Sequence, residues 1–421
     1  MLTNAPRGTK DILPDSVGRW IYVEGKIRDI CARYGYREIR TPVFEHTELF
    51  QRGIGEGTDV VDKEMYTFQD RGERSITLRP ENTAAAVRAY LQNKMYADGS
   101  LTKLFYMGSM FRYDRPQAGR MREFHQFGIE ALGEGNPAVD AEVILLAASF
   151  LKSLGLNDLR LSLNSVGCPK CRPEYRKALQ DFFRERTDQL CKDCRDRLER
   201  NPLRILDCKV DADKDFMAEA PSITECLCEE CKTHFDEVQR YLREAGVEFE
   251  LDSRLVRGLD YYTKTAFEIK YAPLGAQSAV AGGGRYDGLV EEIGGASTPA
   301  VGFAVGLERV MLALEKQDLL PERKPVADIF VVALGEEARV PGFRLLQKLR
   351  EAGLCADMDY SGRSMKAQMK QANRSGARFA AILGEDEIKE SVVMLKDMEK
   401  SEQQKMAIDE MMEKLVTEVK G

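Results

Sequence analysis

Four stretches of the chain carry residues suited to recognising a small polar ligand next to an anion. The richest is FRYDRPQAGRMREFHQFGIEALG, residues 111–133. In an extended chain Arg112 and Asp114 share one face, and Arg120 and Arg122 stand at the return of a loop broken by Pro116 and Gly119. On the next strand Phe124, Gln126 and Glu130 share a face, while His125, Phe127, Ile129 and Ala131 share the other. A guanidinium, an aromatic platform and inward polar groups suit a nucleotide with a small polar ligand beside it. A solvated hairpin with surface arginines has the same spacing.

The other three stretches are shorter. SITLRPENTAAAVRAY (75–90) sets Arg79, Glu81 and Thr83 two apart, at a proline-broken strand end before an Ala-rich helix. Asn82 or Thr83 could cap that helix, and Glu81 could either sit idle near its start or receive a ligand ammonium. RLVRGLDYYTKTAFEI (254–269) gathers Arg257, Asp260, Tyr261 and Tyr262 around Gly258. Extended backbone would turn the two tyrosines to opposite sides, so that one faces a pocket or the pair bridges core and surface. GFAVGLERVMLAL (302–314) aligns Gly302, Ala304 and Gly306 on one strand face and places Arg309 at a helix start. That face admits something flat, with Arg309 meeting a phosphate; close helix packing and a solvated Glu308–Arg309 pair would also explain it. AGGGRYDGL (281–289) fits a ligand-hugging backbone or tight strand packing equally.

Eight of the ten cysteines lie between Cys168 and Cys231. Cys168, Cys171, Cys191 and Cys194 follow a C-x2-C-x19-C-x2-C spacing, which suggests zinc. The residues between the pairs, 172–190, read as one helix, which would hold the pairs roughly 28 Å apart. A single shared site would need a helix break; Cys208, or Cys226, Cys228 and Cys231, could instead complete two separate sites. The expectation is reduced thiols, no metal, and catalysis that does not depend on the cluster.

The elements that position these residues are legible. Trp20, Val23, Ile27, Ile30 and Cys31 recur at helical spacing, closed by Gly35. Pro42 marks an edge or bend. Residues 101–113 and 123–133 read as strands, and Val139–Leu154 as a helix. Residues 166–250 are charged, Cys-rich and helical, like an insertion, and strand character resumes at Arg254. Lys316–Pro325 reads as a linker. Beyond it, strand 328–334, helix 337–352, a short strand, helix 364–376 and strand 378–383 form a βαβαβ pattern for a separate α/β domain. There is no internal repeat or low-complexity tract.

Composition bounds the reading. The chain has 421 residues, 43% of them apolar, and its mean hydropathy is −0.39, as in ordinary globular proteins of two to four domains. No apolar run is long enough for a membrane span. Early charges and prolines leave no room for a secretory or transit segment, so a cytoplasmic location is the expectation. With 62 basic and 69 acidic residues the net charge is −7, which excludes a general basic coat for nucleic acid. A polyanion must meet local patches. Arg363, Lys366, Lys370, Arg374 and Arg378, three or four apart with no acidic residue among them, form one candidate flank; a solvated helix face is the plainer reading.

Taken together, these segments resemble the histidyl-tRNA synthetases, a family of class II aminoacyl-tRNA synthetases. The resemblance runs from RGTKDILP at residue 7 through the C-terminal domain. GYREIRTP (35–42) resembles the first class motif, associated with the dimer interface. FRYD with RMREF resembles the second, and GFAVGLER the third, with Ala304 in place of its middle glycine. Asp114 stands where the class commonly has Glu, keeping the charge with a shorter reach. RGLDYY (257–262) and AGGGRYDGL are the histidine-specific signatures.

The resemblance implies an α+β fold: an antiparallel six-stranded sheet with flanking helices, a helical insertion, and a C-terminal α/β anticodon-binding domain. The catalytic domain would span 1–325, with the insertion at about 166–250, and the anticodon-binding domain 326–421. The implied enzyme is a homodimeric, AMP-forming ligase. It would activate L-histidine with ATP and Mg2+ and pass histidine to tRNA(His). By the same resemblance Arg112, Arg257 and Arg309 are the catalytic arginines, with Arg112 and Arg257 at the α-phosphate and Arg309 near the distal phosphate. Phe124 would stack on adenine, and Asp114 and Arg120 would complete the ATP site. Glu81 and Thr83, with Gln126 assisting, would receive the substrate's ammonium, Glu130 and Tyr262 would meet its imidazole nitrogens, and Asn82 and Tyr261 would be further histidine-binding residues. Residues 115–117 would approach the tRNA acceptor end. His125, on the opposite strand face, would be structural. A different-class alternative is a non-catalytic, histidine-binding regulatory paralogue. Such relatives lack the tRNA-binding domain and degrade the catalytic motifs. A synthetase for another amino acid is a second alternative, against which RGLDYY and the Gln126/Glu130 pair argue.

Overall fold

Helix α1 (Pro14–Arg33) opens on a proline, which suits a first turn whose N–H groups have no helical partner. It buries Val23, Ile27, Ile30 and Cys31, the stripe expected from their spacing. Strands β1 (Arg37–Glu38) and β2 (Phe44–His46), helix α2 (Thr47–Ile54), strands β3 (Tyr66–Gln69) and β4 (Ser75–Leu78), and helix α3 (Thr83–Gln92) follow. The long strands β5 (Thr102–Phe111) and β6 (Glu123–Leu132) flank the arginine-rich loop, before helix α4 (Pro137–Ser153) and strand β7 (Leu159–Ser165). Next come α5 (Arg172–Arg184), α6 (Lys192–Arg200), α7 (Glu229–Glu244) and β8 (Glu250–Leu251). Strands β9 (Thr263–Tyr271) and β10 (Ala279–Arg285), helix α8 (Leu289–Glu292), strand β11 (Ala300–Gly306) and helix α9 (Leu307–Lys316) complete the first unit. This computed structural model describes residues 3–55, 58, 60–206, 208, 210–211, 214–256, 261–322 and 327–420. The chain forms two compact units, Met1–Pro321 and Glu322–Gly421.

The sheet of the first unit runs β1-β5-β6-β11-β10-β9-β7-β8. Its six inner strands are all antiparallel, as expected. The two-residue strands β1 and β8 extend it to eight by pairing in parallel with the two edges. Alternation along each strand divides the faces. Phe127, Ile129, Phe267 and Phe303 enter the main core with Ile27, Phe150 and Val310 of the helices. On the other face Leu132 and Ala266 pack with Val87 and Leu289. That face of β6 is therefore covered too, and Glu130 on it is buried.

The insertion departs from expectation in one respect. Residues 172–190 do not form one helix: α5 stops at Arg184, and Thr187–Gln189 make a 3-10 turn. A small core of its own contains Tyr175, Leu179, Phe183, Leu198 and Ile205. Helix α7 instead buries Phe235, Val238 and Leu242 in the main core.

The second unit shows the expected alternation: β12 (Ile329–Ala333), α10 (Arg339–Glu351), β13 (Ala356–Met358), α11 (Met365–Ser375) and β14 (Phe379–Leu383). Helix α12 (Glu385–Lys389), strands β15 (Val392–Asp397) and β16 (Gln403–Ala407), and helix α13 (Ile408–Lys420) are additional. The sheet order is β13-β12-β14-β15-β16, with the last two strands antiparallel.

Candidate active site

The start of α3 has a carboxylate as its cap. Glu81 accepts from the backbone N–H of Thr83 at 2.7 Å and of Ala84 at 3.0 Å. It thus satisfies orphan donors that Asn82 or Thr83 was expected to serve. Asn82 turns the other way: its Oδ1 accepts from Thr41 Oγ1 at 2.7 Å and from Arg79 Nη1 at 3.2 Å. Arg79, buried, also donates to the carbonyls of Ser109 at 2.9 Å and Thr41 at 3.2 Å. Asn82 and Arg79 therefore tie GYREIRTP to β5, and neither side chain joins Glu81.

Glu81 belongs to a buried polar cluster centred on Glu130. Tyr106 donates to Glu130 Oε1 at 3.0 Å, and Tyr286 donates to Oε2. The Thr83 hydroxyl acts on the same cluster, lowering the pKa values of Glu81, Glu130 and Tyr261. Burial pushes Glu130 up to about 8; the Tyr286, Thr83 and Tyr106 hydroxyls pull against that shift, and the Glu81 charge adds to it. Burial likewise raises Glu81, against the two backbone N–H groups. The rings of Tyr261 and Tyr262 lie 4.7 Å apart, and that of Tyr286 lies 5.5 Å from Tyr261. The expectation that one tyrosine turns away is overturned, because Tyr261 sits in a turn and not in a strand. Two glycines make room. A Cβ on Gly302 would lie 2.1 Å from Glu130 Oε2, and one on Gly128 would lie 2.4 Å from the Tyr106 hydroxyl. Gln126, on the same strand face as Glu130, has a buried amide oxygen with no partner among the described residues. Such an atom calls for a ligand donor.

Arg112 stands beside this cluster. Its Nε donates to the Pro80 carbonyl at 2.8 Å, and its guanidinium lies 5.4 Å from the Phe124 ring. The charges of Glu64 and Glu81 both act on it. In the loop that follows, Arg120 pairs with Asp114 and lies 3.6 Å from Glu64. Arg309 reaches across to the loop, donating to Gly119 O at 3.2 Å, and to Ala279 O at 2.7 Å. Arg122 stacks on Tyr113 at 3.9 Å, and its N–H donates to Gly8 O at 2.7 Å, so RGTKDILP closes on the loop.

His125 is held away from these groups. Glu308 accepts from its backbone N–H at 2.9 Å and contacts Nδ1 at 2.9 Å, and its ring packs on Trp20. The hydrogen bond to Glu308 raises its pKa. Arg257 lies outside the described residues.

Sequence reasoning missed Tyr106, Tyr286 and Arg285 as site members. Tyr286 and Arg285 stood inside AGGGRYDGL, where the glycines drew attention; Tyr106 stood opposite Gly128 across β5 and β6, a pairing visible only once the register is known. Arg285 is fully buried, paired with fully buried Asp140, to which His234 Nε2 also binds at 3.2 Å. That network anchors the strand end that carries Tyr286. A cavity of about 480 Å³ lies next to Tyr262, lined also by Arg172, Arg176, Arg200 and Arg204. It is not centred on Glu130; four guanidinium groups suit phosphate.

In the second unit the basic residues divide. Arg363 pairs with Asp359, and Arg378 with Glu418 at 2.9 Å, both outside α11. Lys366, Lys370 and Arg374 lie four apart along α11, exposed, and among the described residues they make no ion pair.

The family model for histidyl-tRNA synthetase matches residues 8–310, and an anticodon-binding domain model matches 328–418. A histidine–tRNA ligase of Pelotomaculum thermopropionicum is 55% identical over 421 residues, covering 100% of this chain and 99% of that protein. One from Moorella thermoacetica is 56% identical over 408 residues, covering 97% and 96%. The crystal structure of apo S. aureus histidyl-tRNA synthetase matches with a TM-score of 0.83 at 40% identity, covering 99% of this chain and 100% of that one. The chain belongs to the histidyl-tRNA synthetase family.

Proposed function

We propose that this chain activates L-histidine with ATP, releasing pyrophosphate, and passes the histidyl group to the 3′ end of tRNA(His). The observation that carries the reading is the enclosed Glu130, ringed by tyrosine hydroxyls with Glu81 beside it and Arg112 alongside. Glu81, Thr83 and the unpartnered Gln126 oxygen are acceptors for an ammonium. Glu130 and the hydroxyls around it offer partners for both imidazole nitrogens. At neutral pH free Glu130 holds a proton and the incoming imidazole is neutral, so the two share one proton on binding. An analogue without those nitrogens would leave buried groups unpaired, which supports discrimination of roughly 10⁴.

Activation is an in-line displacement: the histidine carboxylate attacks the α-phosphorus, and pyrophosphate leaves. Such a step needs positioning and charge stabilisation more than a protein nucleophile. Arg112 is suited to meet the carboxylate and the α-phosphate together, with Arg257 as the second arginine there. Phe124 offers a stacking face for adenine. Arg120 and Asp114 border the nucleotide, and Arg309, which braces Gly119, faces its distal phosphates. Mg2+ bound to those phosphates would neutralise charge. The oxygen donors available to it, the Asp114 and Glu64 carboxylates facing Arg120, are of the hard type it takes.

Transfer to tRNA is supported by the anticodon-binding domain match and by the free cations of α11. A homodimer is supported by the exposed Val43 and Phe44 beside GYREIRTP, apolar surface that a second copy would cover. A cytoplasmic location accords with a helix set in which no described helix is long and apolar enough to cross a membrane. The regulatory alternative is weakened by the presence of the anticodon-binding domain and of Arg112 and Arg309. ATP–pyrophosphate exchange across a panel of amino acids tests the reading. Exchange that requires histidine is expected; none with any amino acid would favour the regulator.

A further inference from the structure

The structure assigns the cysteines left over from the reaction to two metal centres. The thiols of Cys168, Cys171, Cys228 and Cys231 gather in one place, and those of Cys191, Cys194 and Cys208 gather with the Asp211 carboxylate in another; within each group all ligand atoms lie within 4.8 Å of one another. We propose that each group binds one structural zinc ion.

Three observations carry this. The first is spacing. Zinc bound tetrahedrally to sulfur at about 2.3 Å places neighbouring sulfurs roughly 3.8 Å apart. Cys168 Sγ lies 3.7 Å from Cys171 Sγ and 3.9 Å from Cys228 Sγ, and Cys191 Sγ lies 3.8 Å from Cys208 Sγ. The second is the placement on helices. Cys171, Cys191 and Cys228 are the residues that open α5, α6 and α7, with Cys194 and Cys231 in the first turn of the latter two. The surroundings of the ligands are built to match: the Cys228 N–H donates to Cys171 Sγ at 3.1 Å, and the Cys191 N–H donates to Asp211 Oδ2 at 3.0 Å. The third is composition. Each site offers four ligands, and the second offers an odd number of thiols, which disulfide pairing cannot use up. Three thiolates and a carboxylate are a zinc set.

The two CxxC pairs need not share an ion: Cys168 and Cys171 find partners at Cys228 and Cys231, and Cys191 and Cys194 find theirs at Cys208 and Asp211. The need is also physical. The insertion core is small, and the described residues between α6 and α7 form only short 3-10 turns, so a metal supplies order that apolar burial does not. The four-cysteine centre has a further consequence. Arg172, next to Cys171, donates to the Tyr262 carbonyl, and the Lys264 N–H donates to Gly167 O at 2.9 Å. That centre thus holds the segment that delivers Tyr261 and Tyr262.

Elemental analysis of the full chain, purified without chelator, is expected to find about two zinc ions per chain, and X-ray absorption a mean of about 3.5 sulfur ligands near 2.3 Å. Titrating the wild-type thiols with a mercurial should release zinc in step, a measurement that needs no variant to fold. Cys231→Ser and Cys208→Ser should each lose one ion, and Cys226→Ser neither. A folded, metal-free protein with freely titrating thiols overturns the proposal, as does iron in place of zinc. Retention of full zinc by Cys208→Ser overturns the second centre.

Discussion

Gly302 faces Glu130 across the β6–β11 pair, and a Cβ at Gly302 would lie 2.1 Å from Glu130 Oε2. The first glycine of GFAVGLER is thus set by a carboxylate on the neighbouring strand. Gly302→Ala is expected to push Glu130 off Tyr286. A displacement near 1 Å at a substrate-positioning group can cost roughly 10²-fold, so kcat/KM for histidine in pyrophosphate exchange should fall by about that factor. Unchanged kcat/KM in a folded variant would remove Glu130 from the histidine site.

Glu130 also makes the free protein sensitive to pH. Below the ordinary carboxylate value near 4.5, folded and unfolded chains both hold its proton; between there and about 8 the folded chain alone does. The stabilisation from the protonated form is complete below 4.5 and is lost as pH rises through about 8. Thermal midpoints without ligands, taken at about pH 5 and about pH 8, should show wild type losing stability relative to Glu130→Gln. Parallel curves for the two proteins would contradict the raised value.

Asp140 and Arg285 are both fully buried, with His234 and Asp287 as further partners. Removing one charge leaves the other unpaired in a low dielectric, a cost of roughly 3–5 kcal/mol. Asp140→Asn should therefore lower the melting temperature of the first unit by several degrees. Because Arg285 precedes Tyr286, KM for histidine should rise in the same variant. A change in neither quantity would show the network to be dispensable.

The cations of α11 are expected to act on tRNA alone. The double variant Lys370→Glu, Arg374→Glu should raise KM for tRNA roughly tenfold or more, with a weaker salt dependence, and leave pyrophosphate exchange intact. Equal loss of both activities would place the defect elsewhere.

Arg257 is assigned by resemblance to the α-phosphate. Arg257→Ala should slow single-turnover adenylate formation by orders of magnitude while the melting temperature stays near wild type. Near-normal adenylation would falsify that role.

The amino-acid order alone determined the local chemistry: which strands alternate, where α1, α4 and α11 lie, and that Glu130, Gln126 and Phe124 share a face. Those properties depend on neighbours a few residues apart, through the helix and strand periods. Tertiary structure decided what converges. Tyr106 meets Glu130 from the neighbouring strand β5 and Tyr286 from just past the end of β10, two strands away, and Asn82 turns toward Thr41 while adjacent Glu81 turns inward. Cys168 and Cys171 meet Cys228 and Cys231, and Cys191 and Cys194 meet Cys208 and Asp211, which the cysteine spacing alone left open. Strand order, register and the close packing of side chains set those distances, and none of them is a function of local spacing.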